Sequence, residues 1–250
     1  MNISATPPES IHRGPVSPAS DQLGVDWASL PELPLPSARA LRHRLPAATA
    51  PHSAAAGQFD VLRTRMLGVV EERRWTRIGI TQPRSRSAAA YAAANLAFSL
   101  ARRPSLRVML ADLDLRTPRL TEMLGLPRAL DLGQALRSGI DLCPTLSRFG
   151  SNLALLGNSA PDRLAAETLQ EPDAAAAVTR LIGKFAPDVV LLVLPPLLEG
   201  DAGLSGLGMV ETLLMVADGT STLPAELRSC DRLVEGGPPI LGVVLVDAEH

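Results

Sequence analysis

Lysine is nearly missing from this chain: Lys184 is the only one in 250 residues, so its cationic side chains are almost all Arg. Any phosphate-binding loop that relies on an ammonium group has one candidate, and that candidate precedes an apolar strand rather than following one. Aromatic residues make up 3%, with a single tyrosine, Tyr91. The formal net charge of −2 supplies no basic field for nucleic acid. Cys143 and Cys230 are too few and too far apart for a disulfide framework or a metal site. They suit a reducing, cytoplasmic compartment. The 4 histidines are scattered and show no ligand spacing. Residues 1–30 lack the apolar core of a signal peptide. No apolar run approaches the length of about 18 residues that a membrane-spanning helix needs. The longest, VVLLVLPPLL, is broken by Pro195 and Pro196.

What is present suits one α/β domain behind a tail. Residues 1–55 are rich in Pro, Ser and Ala, show little periodicity and read as disordered. Within them WASLPELPLP gathers apolar residues around Trp27, either as a linker or as a docking segment for a partner's groove. Residues 56–250 form the domain, and removal of residues 1–55 is expected to leave it folded. From Gly57 to Arg73 the pattern is helical, with Phe59, Leu62, Met66, Val69 and Val70 near one face.

The stretch from Arg77 to Leu120 organises the rest. Ile78, Ile80 and Thr81 form a strand that Pro83 stops, and Ser85 or Ser87 is placed to cap an alanine-rich helix running to Ala101. Val108 to Leu110 give a second strand with Asp112 and Asp114 at its carboxyl end, the first half of a βαβ nucleotide-binding unit. The loop between strand and helix is where a phosphate cradle belongs. Further on, Ser151 to Leu156 read as a strand, and Asp162 to Phe185 as a helix whose core residues are Leu164, Leu169, Val178, Leu181 and Ile182. DVVLLVLPPLL reads as a central parallel strand buried on both faces. A strand at Val210 to Ala217, a helix around Leu223 to Val234 and a strand at Ile240 to Val246 complete a parallel sheet with helices on both faces.

From about residue 57 to 247 this pattern resembles the bacterial tyrosine kinases of capsule and exopolysaccharide synthesis, a branch of the MinD/ParA-type P-loop ATPases. Their T-S-P-x-P-G-E-G-K-[ST]-T-x-A-A-N-L-A fits without a gap on Thr81, Pro83, Asn95, Leu96 and Ala97. Their V-L-L-I-D-x-D-L-R-x-P-x-L fits through Val108, Leu110, Asp112, Asp114, Leu115, Arg116, Pro118 and Leu120. Inside that frame the catalytic letters have changed. The two loop glycines fall on Arg86 and Ala88, the lysine on Ala89, and the magnesium-binding hydroxyl on Ala90. The Walker B aspartate falls on Val193. Glycine lets such a loop close its N–H groups on phosphate, and lysine supplies charge to the β- and γ-phosphates. Arg and Ala do neither, and Val holds no metal-bound water. The family's assembly motif E-x-x-R-x-x-R falls on Gly57, Asp60 and Arg63, so only its last Arg is kept. The family's C-terminal tyrosine cluster has no counterpart in the closing VDAEH, and Tyr91 lies on the helix after the altered loop.

The expectation is therefore a catalytically inactive, tyrosine-kinase-like protein with no ATP or Mg²⁺ as cofactor and no resident metal. It is expected to be a cytoplasmic adaptor or regulator in exopolysaccharide synthesis and export. The partner implied by the resemblance is the cytoplasmic face of an inner-membrane polysaccharide co-polymerase or chain-length regulator. Asp112 and Asp114 are expected to bond the strand end and the turn into RTPRL, or else to keep a metal- or anion-linked role. The alternatives are an enzyme or nucleotide binder using Arg84 and Arg86 as phosphate ligands, and a MinD/ParA-like positioning factor.

Overall fold

The protein was analysed as a computed structural model that describes residues 27–34, 44–86, 88–126 and 130–246. Seven strands form one sheet: β1 (Arg77–Thr81), β2 (Val108–Asp112), β3 (Ser147–Phe149), β4 (Leu153–Leu156), β5 (Val189–Val193), β6 (Thr212–Asp218) and β7 (Ile240–Val246). Their order is β3-β4-β2-β5-β1-β6-β7. Every pair is parallel except β3 with β4. The alternation of side chains sorts β5 cleanly: Val189, Leu191 and Val193 join the core on one face, and Val190 and Leu192 the core on the other. A run without polar residues is what a strand covered on both faces requires.

The first face is covered by α1 (Ala54–Arg73) and α2 (Ala88–Ala101). The second is covered chiefly by α5 (Ala165–Gln170) and α6 (Pro172–Phe185), with α3 (Leu120–Leu124) on the first face and α4 (Leu132–Arg137) on the second. The last helix, α7 (Pro224–Leu233), joins β6 to β7. Twelve of the fourteen residues of α2 are buried, so a helix of mostly alanine lets two layers approach closely. Gly79 serves the same purpose in β1, where an added Cβ would lie 2.8 Å from Leu213 Cδ2 and 2.9 Å from Leu194 Cδ1.

Several expectations need correction. The helix read from Asp162 to Phe185 is two helices, because Pro172 lacks the N–H to continue α5 and instead starts α6. Leu164 lies just ahead of α5 and is 50% exposed, and Val69 faces solvent while Leu67 takes the buried position in α1. The antiparallel edge β3 has three residues and no apolar run to announce it. Among the described residues no helix is long and apolar enough to cross a membrane.

The largest correction concerns the tail, whose boundary at residue 55 does not hold. Leu45 and Ala47 are buried in the first core, and Ser53 caps α1 by accepting the Ala56 N–H. Asn95 of α2 accepts the Ala47 N–H at 3.1 Å and donates to the Arg44 carbonyl at 3.0 Å. Trp27 is buried against Phe185 with ring centroids 6.1 Å apart, and its indole N–H donates to the Phe185 carbonyl at 2.9 Å. Leu30 is buried beside it, and Glu32 bridges to Arg148 of β3. The segment is neither linker nor free docking peptide; it is part of the second core. Residues 1–26 and 35–43 lie outside the described residues.

Deleting residues 1–55 should therefore destabilise the domain, against the expectation from periodicity. Trp27→Ala should cost about 3 kcal/mol and lower Tm by roughly 6–12 °C. A thermal melt unchanged by that substitution would return the segment to the status of a linker.

Candidate functional site

The carboxyl ends of β1, β2 and β5 face one another, and the loops that leave them are bonded together. After Thr81, the Gln82 side chain turns into the loop before α2. Its Nε2 donates to the Arg86 carbonyl at 2.6 Å, and its Oε1 accepts the Ala89 N–H at 3.0 Å. In a phosphate cradle, N–H groups at the start of the helix point at the anion. Here one of them is spent on a neutral side chain of the same loop. A donor earlier in the loop is taken as well: the Ser85 N–H is bound by the Glu199 carboxylate at 2.7 Å. The Ser85 hydroxyl meets Thr117 Oγ1 at 3.0 Å, so it serves the neighbouring turn. Ser87, the other expected cap, lies outside the described residues.

Arg84 and Arg86 both project into solvent, and both face acids. Arg84 Nε donates to Glu226 Oε1 at 2.5 Å. The Leu223 N–H, followed by Arg84, holds the Glu226 carboxyl below its ordinary range. The Thr220 hydroxyl does the same for Asp218, with Arg86 a lesser contributor. Arg84, Arg86, Asp218 and Glu226 border a cavity of about 50 Å³, space on the order of one or two waters. Ala88, Ala89 and Ala90 are all buried, so none presents its side chain to a ligand.

Asp112 ends β2 fully buried. One carboxylate oxygen accepts the Asp114 N–H at 3.3 Å, and the other accepts the Leu120 N–H at 3.1 Å. Asp114 accepts the Thr117 N–H at 3.1 Å and the Thr117 hydroxyl at 2.8 Å. The pair thus closes the Asp114–Leu120 turn. Burial, reinforced by the charge of Asp114, pushes the Asp112 carboxyl well above its usual range. Burial also raises Asp114. Val193 is buried and stands in register with Asp112 on one side and Ile80 on the other.

A second layer of bonds locks the three loops. Leu197 and Leu198 N–H groups donate to the carbonyls of Gln82 and Pro83 at 3.0 and 2.9 Å. Thr81 Oγ1 donates to the Pro195 carbonyl at 2.8 Å, and Arg116 to the Glu199 carbonyl at 2.6 Å. Sequence reasoning passed over Gln82, Thr117, Glu199 and Glu226. Only Gln82 carried a signal, as an amide where the resembled pattern has serine. Lys184 ends α6 and is paired with Asp141 at 3.6 Å, on the face of the sheet away from α2. Arg63 is used within the fold: it donates to the Ser99 carbonyl at 2.8 Å, while Ser99 Oγ donates to Asp60 at 2.6 Å and Arg102 also pairs with Asp60. Cys143 and Cys230 are both free thiols.

No protein-family model and no curated relative matches the chain. Solved structures do match in fold. The kinase domain of Escherichia coli tyrosine kinase ETK superposes with a TM-score of 0.72 at 20% identity, covering 82% of this chain and 82% of that one. The BceF tyrosine kinase domain gives 0.70 at 18% identity over 88% and 92%. The septum site-determining protein MinD of Pyrococcus horikoshii, solved with Mg-ADP, gives 0.53 at 22% identity over 68% and 70%. The chain therefore has a MinD/ParA-type P-loop NTPase fold. Within that class it has the fold of the bacterial tyrosine kinase domains, as the resemblance in sequence implied.

The acidic pair makes a pH prediction with a definite sign. A raised folded-state pKa means that the folded chain holds more protons than the unfolded one above about pH 4, so this pair's contribution to stability falls as pH rises through that window. Asp112→Asn removes one of the two titrations. The variant should gain stability relative to the parent as pH rises above about 4, whatever its offset at the acid end. Denaturant melts across that range read the slope, and a flat difference would show Asp112 to be ionised in the fold.

Proposed function

We propose that this chain is a tyrosine-kinase-like protein without nucleotide chemistry, acting by contact as a cytoplasmic adaptor or regulator of an exopolysaccharide synthesis and export assembly. The observation that carries the proposal is the filled phosphate loop. Gln82 and Glu199 occupy the Ala89 and Ser85 N–H groups. The carboxylates of Glu199 and Glu226 lie where an incoming triphosphate would meet like charge. The side chains at the glycine, lysine, hydroxyl and Walker B positions support the same reading, being Arg86, Ala88, Ala89, Ala90 and Val193. The residues present do not fit ATP with Mg²⁺: the carboxylates at the end of β2, Asp112 and Asp114, are committed to backbone and hydroxyl donors.

Calorimetry with ATP and Mg²⁺ should show no saturable binding up to about 1 mM, and the purified protein should neither hydrolyse ATP nor phosphorylate itself. Losing several groups that act on one transition state leaves far less than losing one. Magnesium-dependent turnover abolished by Asp112→Asn would overturn the proposal, as would micromolar nucleotide binding weakened by Arg84→Ala with Arg86→Ala.

The partner that the resemblance supports is the cytoplasmic part of an inner-membrane polysaccharide co-polymerase. The outer side of α1 offers a surface free of core duties, with Val61 and Val69 exposed among Arg65 and Glu72. Arg65→Glu with Glu72→Arg should reduce co-purification with that partner without lowering Tm. In cells, Asp112→Ala with Asp114→Ala should preserve polymer production wherever the protein still accumulates. The reverse pattern, an essential acidic pair and a dispensable helix surface, would reject the adaptor mechanism.

A further inference from the structure

A second site lies beside the altered nucleotide pocket, in a cleft of about 690 Å³ at the carboxyl ends of β2 and β4. Its walls are the Arg116–Arg119 turn, α3, and the loop from Asn158 to Pro161. That end of neighbouring parallel strands is where α/β sheets hold ligands, and the volume falls in the range of small-molecule sites.

Two features of the wall lack partners that their chemistry calls for. The Arg119 guanidinium is exposed, and no hydrogen bond or ion pair engages it among the described residues. Asn158 is 1% exposed, and its Nδ2 has no hydrogen-bond partner among the described residues. The orientation of that amide is settled by its other atom: Oδ1 accepts the N–H groups of Leu132 at 3.2 Å and Ala160 at 3.3 Å. Turning it over would set an NH₂ group against two donors. A buried donor left without an acceptor costs free energy, which an arriving oxygen atom relieves.

We infer that this cleft binds a phosphorylated, hydroxyl-bearing small molecule of sugar-phosphate size. Arg119 takes the phosphate, because the planar fork of Arg matches a phosphate's oxygens; Arg116, three positions earlier on the same wall, adds positive charge while one of its guanidinium nitrogens stays on the Glu199 carbonyl. Asn158 Nδ2 takes a neutral acceptor oxygen, and the hydroxyls of Thr121 and Ser159 line the remainder. Among the described residues no aromatic ring lines the cleft, so a nucleobase has no stacking partner there. That disfavours a nucleotide and favours a sugar phosphate. Glu122 on the rim opposes a ligand carrying negative charge along its whole length.

The test is calorimetry on the full chain with glucose 1-phosphate, inorganic phosphate, glucuronate and ADP in parallel. Glucose 1-phosphate should bind at one site, more tightly than any of the other three. Arg119→Gln should weaken it by about tenfold or more with Tm unchanged, since Arg119 has no partner to lose. Asn158→Asp keeps both bonds accepted by Oδ1 and replaces the donor by an acceptor, and it should weaken binding as well. No binding of glucose 1-phosphate, or binding indifferent to Arg119→Gln, overturns the inference. Glucuronate binding as tightly overturns the choice of phosphate over carboxylate, and inorganic phosphate binding as tightly overturns the role given to the hydroxyl-facing wall. ADP binding that survives Arg119→Gln counts against the reading of the loop after β1, and the sugar-phosphate arm still decides the cleft.

Discussion

Burial of β5 on both faces is the constraint from which the rest of this structure follows. The strand lies between β1 and β2, and each of its five side chains is buried. Fully burying an aliphatic side chain contributes roughly 1.5–3 kcal/mol, so the strand is a major source of the domain's stability. A carboxylate at the Val193 position would sit beside Asp112, whose own carboxyl burial already pushes up. Without a metal ion to compensate them, adjacent buried carboxylates oppose ionisation. Valine relieves that conflict and keeps the strand uniform.

The loops above the strand obey a similar rule. A phosphate cradle without phosphate leaves buried backbone donors unsatisfied, which the fold cannot tolerate cheaply. In this chain Gln82 and Glu199 supply the missing acceptors from within, and Arg84 and Arg116 tie the same loops to Glu226 and the Glu199 carbonyl. Alanines 88–90 then pack as ordinary helix residues. The polar groups of these loops are bonded to one another.

Much of the fold was legible because hydrophobic pattern and strand position are local properties. β1, β2, β5, β6 and β7 all fall where period and Pro/Gly punctuation place them, and the frame of motifs around Thr81 and Asp112 marks the strand ends. What stayed hidden is tertiary. Nothing in the spacing of Glu199 or Glu226 shows that each faces the loop after β1. Asn158 reads as a loop polar residue until its amide is found buried with one atom satisfied and the other not. Trp27 was misjudged for a related reason: a single aromatic in a Pro-rich tract has no periodicity, and its burial depends on Phe185, which is 158 positions away.

That long-range attachment changes how the N-terminal segment relates to the site. Asn95 belongs to the helix that follows the phosphate loop. Its side chain holds the Arg44 carbonyl and the Ala47 N–H, while its own helix supplies a further acceptor at Tyr91. A buried amide with all of these bonds made gives specificity as well as stability, because no apolar residue of that size can replace them. The helix is thus held at its middle by the N-terminal segment and at its start by Gln82. Any displacement of α2 along its axis would have to break bonds at both places.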